Sequence, residues 1–203
     1  KKPVNPKGIR RNYKMNFQRK KMLILHLALF ALLGCGESQA NLDSMIYNFN
    51  KESQAGGWYT LNDGVMGGIS NSTIVINEDG FGLFSGNVST ANNGGFASIR
   101  YPFDEKAING KSKISLRIKG DSKNYQLRVK AKSGDYYSYI LTFTTSNEWE
   151  TVDIKLSDMY PSFRGRKLPM SNFESSSIEE ISILISNKKN ERFKLLIDTI
   201  ELT

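Results

Sequence analysis

Hydrophobic residues in this chain recur at every second position, segment after segment, and that period excludes most folds. Ile114, Leu116 and Ile118 alternate with Ser115, Arg117 and Lys119, and Tyr125, Leu127 and Val129 alternate with Gln126, Arg128 and Lys130. Tyr139, Leu141 and Phe143 alternate with Ile140, Thr142 and Thr144, and Val152, Ile154 and Leu156 with Asp153 and Lys155. Ile181, Ile183 and Ile185 repeat the pattern, as do Phe193, Leu195 and Ile197. Successive side chains of a strand point to opposite faces, so this alternation predicts antiparallel strands with one face on a core and the other wet. Turn-forming clusters separate the runs, among them Glu78-Asp79-Gly80, Asn92-Asn93-Gly94-Gly95, Lys119-Gly120-Asp121 and Ser133-Gly134-Asp135. No amphipathic helix longer than two turns is expected. Residues 157–163 read as one short helix, and 175–180 as a capped turn entering the Ile181 strand. The expectation is an all-β fold over residues 45–203, a two-sheet antiparallel β-sandwich and most simply a jelly roll.

Charge is distributed unevenly. The 203 residues carry 28 basic and 20 acidic groups, but residues 1–34 hold nine basic and no acidic ones. Residues 35–203 are therefore close to neutral, which gives no electrostatic footprint for nucleic acid. Arg19-Lys20-Lys21 precedes an apolar run from Met22 to Leu33. As a helix this run spans about 18 Å, too short for a bilayer core of about 30 Å. A basic flank followed by a short apolar stretch has the layout of a secretory signal. Its end, Leu32-Leu33-Gly34-Cys35, resembles the bacterial lipoprotein lipobox, which implies cleavage before Cys35, lipidation of Cys35 and a polar tether over 35–44. Met15 is the expected start of translation, since it keeps the positive flank. Gly36 after Cys35 points to the outer membrane in a Gram-negative cell. Several acyl chains at one terminus would anchor the protein without spanning the membrane.

His26 is the only histidine and Cys35 the only cysteine. Residues 36–203 thus hold no imidazole base, no Ser-His-Asp or Cys-His arrangement and no His/Cys zinc site. A lone cysteine cannot staple the fold, which must stabilise itself by burial. Asp63 and Asp121 are the only carboxylate pair to nominate for catalysis, and both lie in apparent turns where Asp is ordinary. No enzyme activity, cofactor or metal is expected.

Five segments depart from plain alternation. They are Trp58 followed by Asn62-Asp63-Gly64-Val65-Met66-Gly67-Gly68-Ile69-Ser70, then Gly94-Gly95-Phe96-Ala97-Ser98-Ile99-Arg100, then Gly120-Asp121 with Tyr125, then Trp149, then Phe163-Arg164-Gly165-Arg166. In this order and spacing they resemble the complex I intermediate-associated protein 30 (CIA30) family. The resemblance covers nearly all of residues 45–203. It implies a galactose-binding-like jelly roll and, by analogy with mitochondrial relatives, a chaperone-like part in assembling NADH:ubiquinone oxidoreductase.

The candidate binding residues are Trp58, Asn62, Asp63, Gly64, Gly67, Gly68, Phe96, Arg100, Asp121, Tyr125, Trp149 and Arg164. Val65 and Met66 are expected to plug the core. Asn62 and Asp63 fit a tight structural turn and a ligand loop equally. Arg100 is expected to pair with Asp63 or Asp121. The two tryptophans are core residues or stacking platforms, and Arg164 and Arg166 fit an exposed, solvated loop better than a contact with an acidic partner. Two functions follow: a non-catalytic, lipid-anchored module that binds a protein, or a carbohydrate-binding module of the cell envelope.

Overall fold

The computed structural model describes residues 44–203. Cys35, the leader and the tether as far as Asp43 lie outside the described residues. The described residues form thirteen strands: β1 (Met45–Asn48), β2 (Tyr59–Thr60), β3 (Asn71–Ile76), β4 (Gly82–Val88), β5 (Ala97–Ala107), β6 (Lys113–Lys119), β7 (Asn124–Lys130), β8 (Ser138–Thr144), β9 (Trp149–Lys155), β10 (Tyr160–Phe163), β11 (Arg166–Lys167), β12 (Ser177–Ile185) and β13 (Glu191–Leu202). A six-stranded sheet runs β3-β4-β13-β6-β9, with β1 also on β13, and a seven-stranded sheet runs β11-β10-β8-β7-β12-β5-β2. Every pairing is antiparallel. This is the expected jelly-roll sandwich. Among the described residues no helix is long and apolar enough to cross a membrane.

The alternation is realised almost residue for residue. Ile114, Leu116 and Ile118 of β6, Leu127 and Val129 of β7, and Ile181, Ile183 and Ile185 of β12 are all buried between the sheets. Each fully buried aliphatic side chain contributes about 1.5–3 kcal/mol, which is how a domain without a disulfide holds together. In β13 the period breaks at a bulge between Ile197 and Thr199, after which Ile200 and Leu202 take up the inward positions.

Three local expectations are corrected. Residues 157–163 do not form the expected short helix: a single 3-10 turn, Leu156–Asp158, ends at the buried Met159 and leads into β10, where Pro161 is also buried. The turn before Ile181 is shorter than expected, since β12 already begins at Ser177. Val65 and Met66 do not plug the core but are 68% and 55% exposed.

Candidate functional site

The outward face of the seven-stranded sheet is where sequence and structure part most usefully. Register places Arg100 of β5 and Arg128 of β7 both opposite Ser182 of the central strand β12, with Ile140 of β8 and Tyr160 of β10 completing the row. Neighbouring rows on the same face hold Ser98, Leu184 and Gln126 on one side, and Glu180 and Lys130 on the other. A solvated outer face would leave these groups wet. Instead Ser98, Ser138, Ser162, Glu180 and Ser182 are buried, and so are Ile140 and Leu184, although neither belongs to the core cluster.

The face is covered because loops rise on both sides of it. They enclose a groove of about 810 Å³ whose floor is Arg100, Gln126, Arg128, Lys130, Ser162 and Leu184. Val65, Met66 and Phe96 form one rim, and Tyr136, Phe163 and Arg164 the other.

The groove floor carries unspent hydrogen-bonding capacity. Arg100 Nε, Arg128 Nε, Gln126 Oε1 and Ser162 Oγ are buried without a hydrogen-bond partner among the described residues. Buried polar atoms are ordinarily paired, so a cluster of four without partners on one floor sets this face apart. Arg100 reaches Glu180 only at 3.5 Å. Burial, and then the neighbouring Arg100 charge, lowers the Arg128 guanidinium to about 10. Five cations line the groove (Arg100, Arg128, Lys130, Arg164 and Lys188) and no acidic side chain does.

The glycine-rich motifs build the first rim around one buried carboxylate. Asp63, fully buried, accepts the Ser70 N–H at 2.9 Å, the Gly95 N–H at 2.6 Å, the Phe96 N–H at 3.2 Å and the Ser70 hydroxyl. Burial alone would raise its pKa, but the Ser70 hydroxyl and these three N–H groups outweigh that and hold the carboxyl below its ordinary value. Asn62 works beside it, accepting from Ser72 Oγ at 2.7 Å and the Ser98 N–H at 3.3 Å. Gly68 and Gly94 lie against the Asp63 side chain. A Cβ on Gly68 would stand 2.8 Å from Asp63 Cβ and closer still to its carboxyl group. Gly68→Ala is therefore expected to lower the melting temperature by several degrees, measured by circular dichroism. An unchanged melt would show that Asp63 is not the hub of this loop. Gly67 closes the short 3-10 turn Asp63–Met66 in the left-handed conformation (φ 89°), whereas Gly64 has no close neighbour that a side chain would meet.

The remaining candidates disperse. Trp58 is buried against Tyr47, Phe49 and Tyr101 as core. Tyr125 is core too, and its hydroxyl donates to Asp121 at 3.0 Å. Asp121 also receives Lys123 Nζ at 2.7 Å and the Lys194 N–H at 2.9 Å, tying β7 to β13. Asp63 and Asp121 thus close separate networks with no shared partner, and neither meets Arg100, which pairs with Glu180 because β12 lies beside β5. Trp149 stands half-buried on the outer face of the other sheet, against Phe81, with Arg117 5.1 Å over its ring. Of the twelve candidates only Phe96, Arg100 and Arg164 line the groove. Gln126, Arg128, Lys130, Glu180 and Ser162 were missed. Gln126, Arg128 and Lys130 form the polar half of the β7 alternation, which reads as a wet face, while Glu180 falls in the expected capped turn and Ser162 in the expected short helix. Among the described residues no group of three acidic, His or Cys side chains is placed to hold a metal ion.

The Complex I intermediate-associated protein 30 family model matches residues 47–197. The chain belongs to the CIA30 family. A curated member, "Probable complex I intermediate-associated protein 30, mitochondrial" of Caenorhabditis elegans, is 27% identical over 158 residues, which cover 66% of this chain and 46% of that protein. The chain thus spans less than half the length of that relative. Among solved structures, this CIA30 domain is similar to the family 11 carbohydrate-binding module of Clostridium thermocellum in complex with a β-1,3-1,4-mixed-linked tetrasaccharide. The TM-score is 0.57 at 20% identity, over 78% of this chain and 94% of the module. A second structure of a family 11 module, from a cellulosomal cellulase of the same organism, gives 0.55 at 19% identity, over 77% and 92%. At these identities the likeness shows a common fold.

Proposed function

We propose that this CIA30 domain is a non-catalytic interaction module that grips a protein partner in the groove on its seven-stranded sheet, in a role like that of the assembly factor it resembles. The observation that carries this reading is the set of four unpartnered buried polar atoms on the groove floor. A floor kept in that state costs stability and makes sense as a preorganised surface for a ligand.

The test is affinity capture of the full-length protein from detergent-solubilised membranes, beside a Gln126→Trp variant that fills the floor while leaving the core face of β7 unchanged. A defined partner retained by the parent protein and lost from the folded variant supports the reading. A partner that survives the filled groove contradicts it. One observation favours a second reading. Tyr136 stands 65% exposed on the rim and offers a ring face to a sugar, so a glycan bound by the parent and lost from the same variant would replace the protein partner.

The module is also proposed to be lipid-anchored in the cell envelope through Cys35, on the strength of the Leu32-Leu33-Gly34-Cys35 sequence. Metabolic palmitate labelling that persists in Cys35→Ser would sink that part.

A further inference from the structure

The groove floor specifies more than that something binds there; resting on the reading above, it specifies what the occupant carries. Arg100 and Arg128 flank Ser182 from the two strands bordering β12. They therefore stand two strand spacings apart at the backbone, about 10 Å, and their long side chains share one cavity. Both leave Nε without a partner. A guanidinium can meet a carboxylate with two parallel hydrogen bonds. Glu180, the one acid in these rows, lies against Arg100 at 3.5 Å, and Arg128 forms no ion pair among the described residues. Arg128 is thus a largely buried charge beside a like charge with no counter-ion of its own, an arrangement that an arriving anion relieves. Five of the 19 basic side chains of residues 35–203 line this one groove, with no acidic side chain in its lining to offset them.

From these observations we infer that the groove takes an extended acidic segment of a protein partner, with a Glu or Asp carboxylate held between Arg100 and Arg128. The rest of the lining matches a polypeptide. Gln126 and Ser162 add polar side chains to the floor, and Gln126 Oε1 and Ser162 Oγ have no hydrogen-bond partner among the described residues. Val65, Met66 and Phe163 give the rims aliphatic, thioether and phenyl surface for neighbouring side chains, with Met the adaptable member. From β5 to β10 the sheet crosses four strand spacings, about 19 Å, the length of five or six extended residues.

Fluorescence anisotropy of the full-length protein in detergent, with a labelled Glu decapeptide and its all-Gln counterpart as probes, tests the inference. The Glu peptide is expected to bind at least tenfold more tightly than the Gln peptide and to weaken as salt rises. Arg100→Gln and Arg128→Gln are each expected to lose tenfold or more, and Arg128→Lys several-fold, because an ammonium keeps the charge but not the fork. Arg192→Gln, an exposed change on the other sheet, is the unaffected control.

The melting temperature of Arg128→Gln is expected to equal or exceed that of the parent, the opposite of what a structural arginine would give. Equal binding of the two peptides, equal affinity in the Arg128 variants, or a melt several degrees lower in Arg128→Gln would each overturn the inference. So would binding of an oligogalacturonate probe without binding of the Glu peptide, which would assign the arginines to an acidic glycan. If Gln126→Trp loses its captured partner while the Glu peptide fails to bind, the groove is the site and only the carboxylate assignment falls.

Discussion

Asp63→Ala is expected to destabilise the domain by about 3–4 kcal/mol, since it removes a buried carboxylate and strands the donors that face it. For a domain of this size that is a fall of about 10 °C in melting temperature. The carboxyl is fully buried and satisfied by Ser70, Gly95 and Phe96, so no lone pair is turned toward the groove. The variant should lose stability first, and lose ligand only as far as the Val65–Met66 rim moves. Thermal melts followed by circular dichroism decide this, and a melt within 2–3 °C of the parent would contradict it.

The pH dependence carries the same sign. The folded carboxyl titrates below its ordinary value because hydrogen bonds to the charged form outweigh burial. Its contribution is therefore fully present above the unfolded carboxylate range, near about 4, and is lost as pH falls through the lower folded value. Asp63→Asn removes that part of the acid slope, so the difference in stability between parent and variant should shrink on going from neutral pH to below about 4.

Trp58→Ala is expected to cost about 3–5 kcal/mol, the range for emptying an aromatic core position. Trp58 stacks on Tyr101 at 5.2 Å and 18°, meets Tyr47 edge-on at 5.6 Å and lies 5.5 Å from Phe49. Its indole N–H has no hydrogen-bond partner among the described residues. Trp58→Phe therefore forfeits contact area but no hydrogen bond and should recover most of the loss, whereas a polar anchor would not be rescued by Phe. Equal melts for the Ala and Phe variants would count against a packing role. A folded Trp58→Phe protein that failed to bind partner would place Trp58 back among the ligand residues.

Much of the fold was legible because a strand declares its two faces locally. Ile114, Leu116 and Ile118 need only their own neighbours to be recognised as one buried stripe, and the structure buries all three. The bulge in β13 was less so, because it is set by pairing with β6 rather than by any residue at Ile197–Thr199.

The site was legible only in part, for a reason of the same kind. Alternation says that Gln126, Arg128 and Lys130 point away from the core, and it cannot say that loops rise on both sides to cover them. That covering depends on Asp63 reaching Gly95, 32 residues away, which no local pattern announces. On sequence the glycine-rich motif around Asn62 and Asp63 fits a structural turn and a ligand loop equally, and in the fold the Asp63 carboxylate is taken up by the rim's own N–H groups. The residues that face the groove were hidden in an alternation that looked ordinary.

The claim that the seven-stranded sheet carries the binding surface is tested most directly by site-specific photocrosslinking. A benzophenone side chain at Lys130 stands on the groove floor, and one at Thr151 stands exposed on the outer face of the six-stranded sheet. Irradiation in intact cells followed by mass spectrometry should give a defined adduct from position 130 and none from position 151. The same adduct from position 151, with none from 130, would place the interaction on the opposite face and contradict the account.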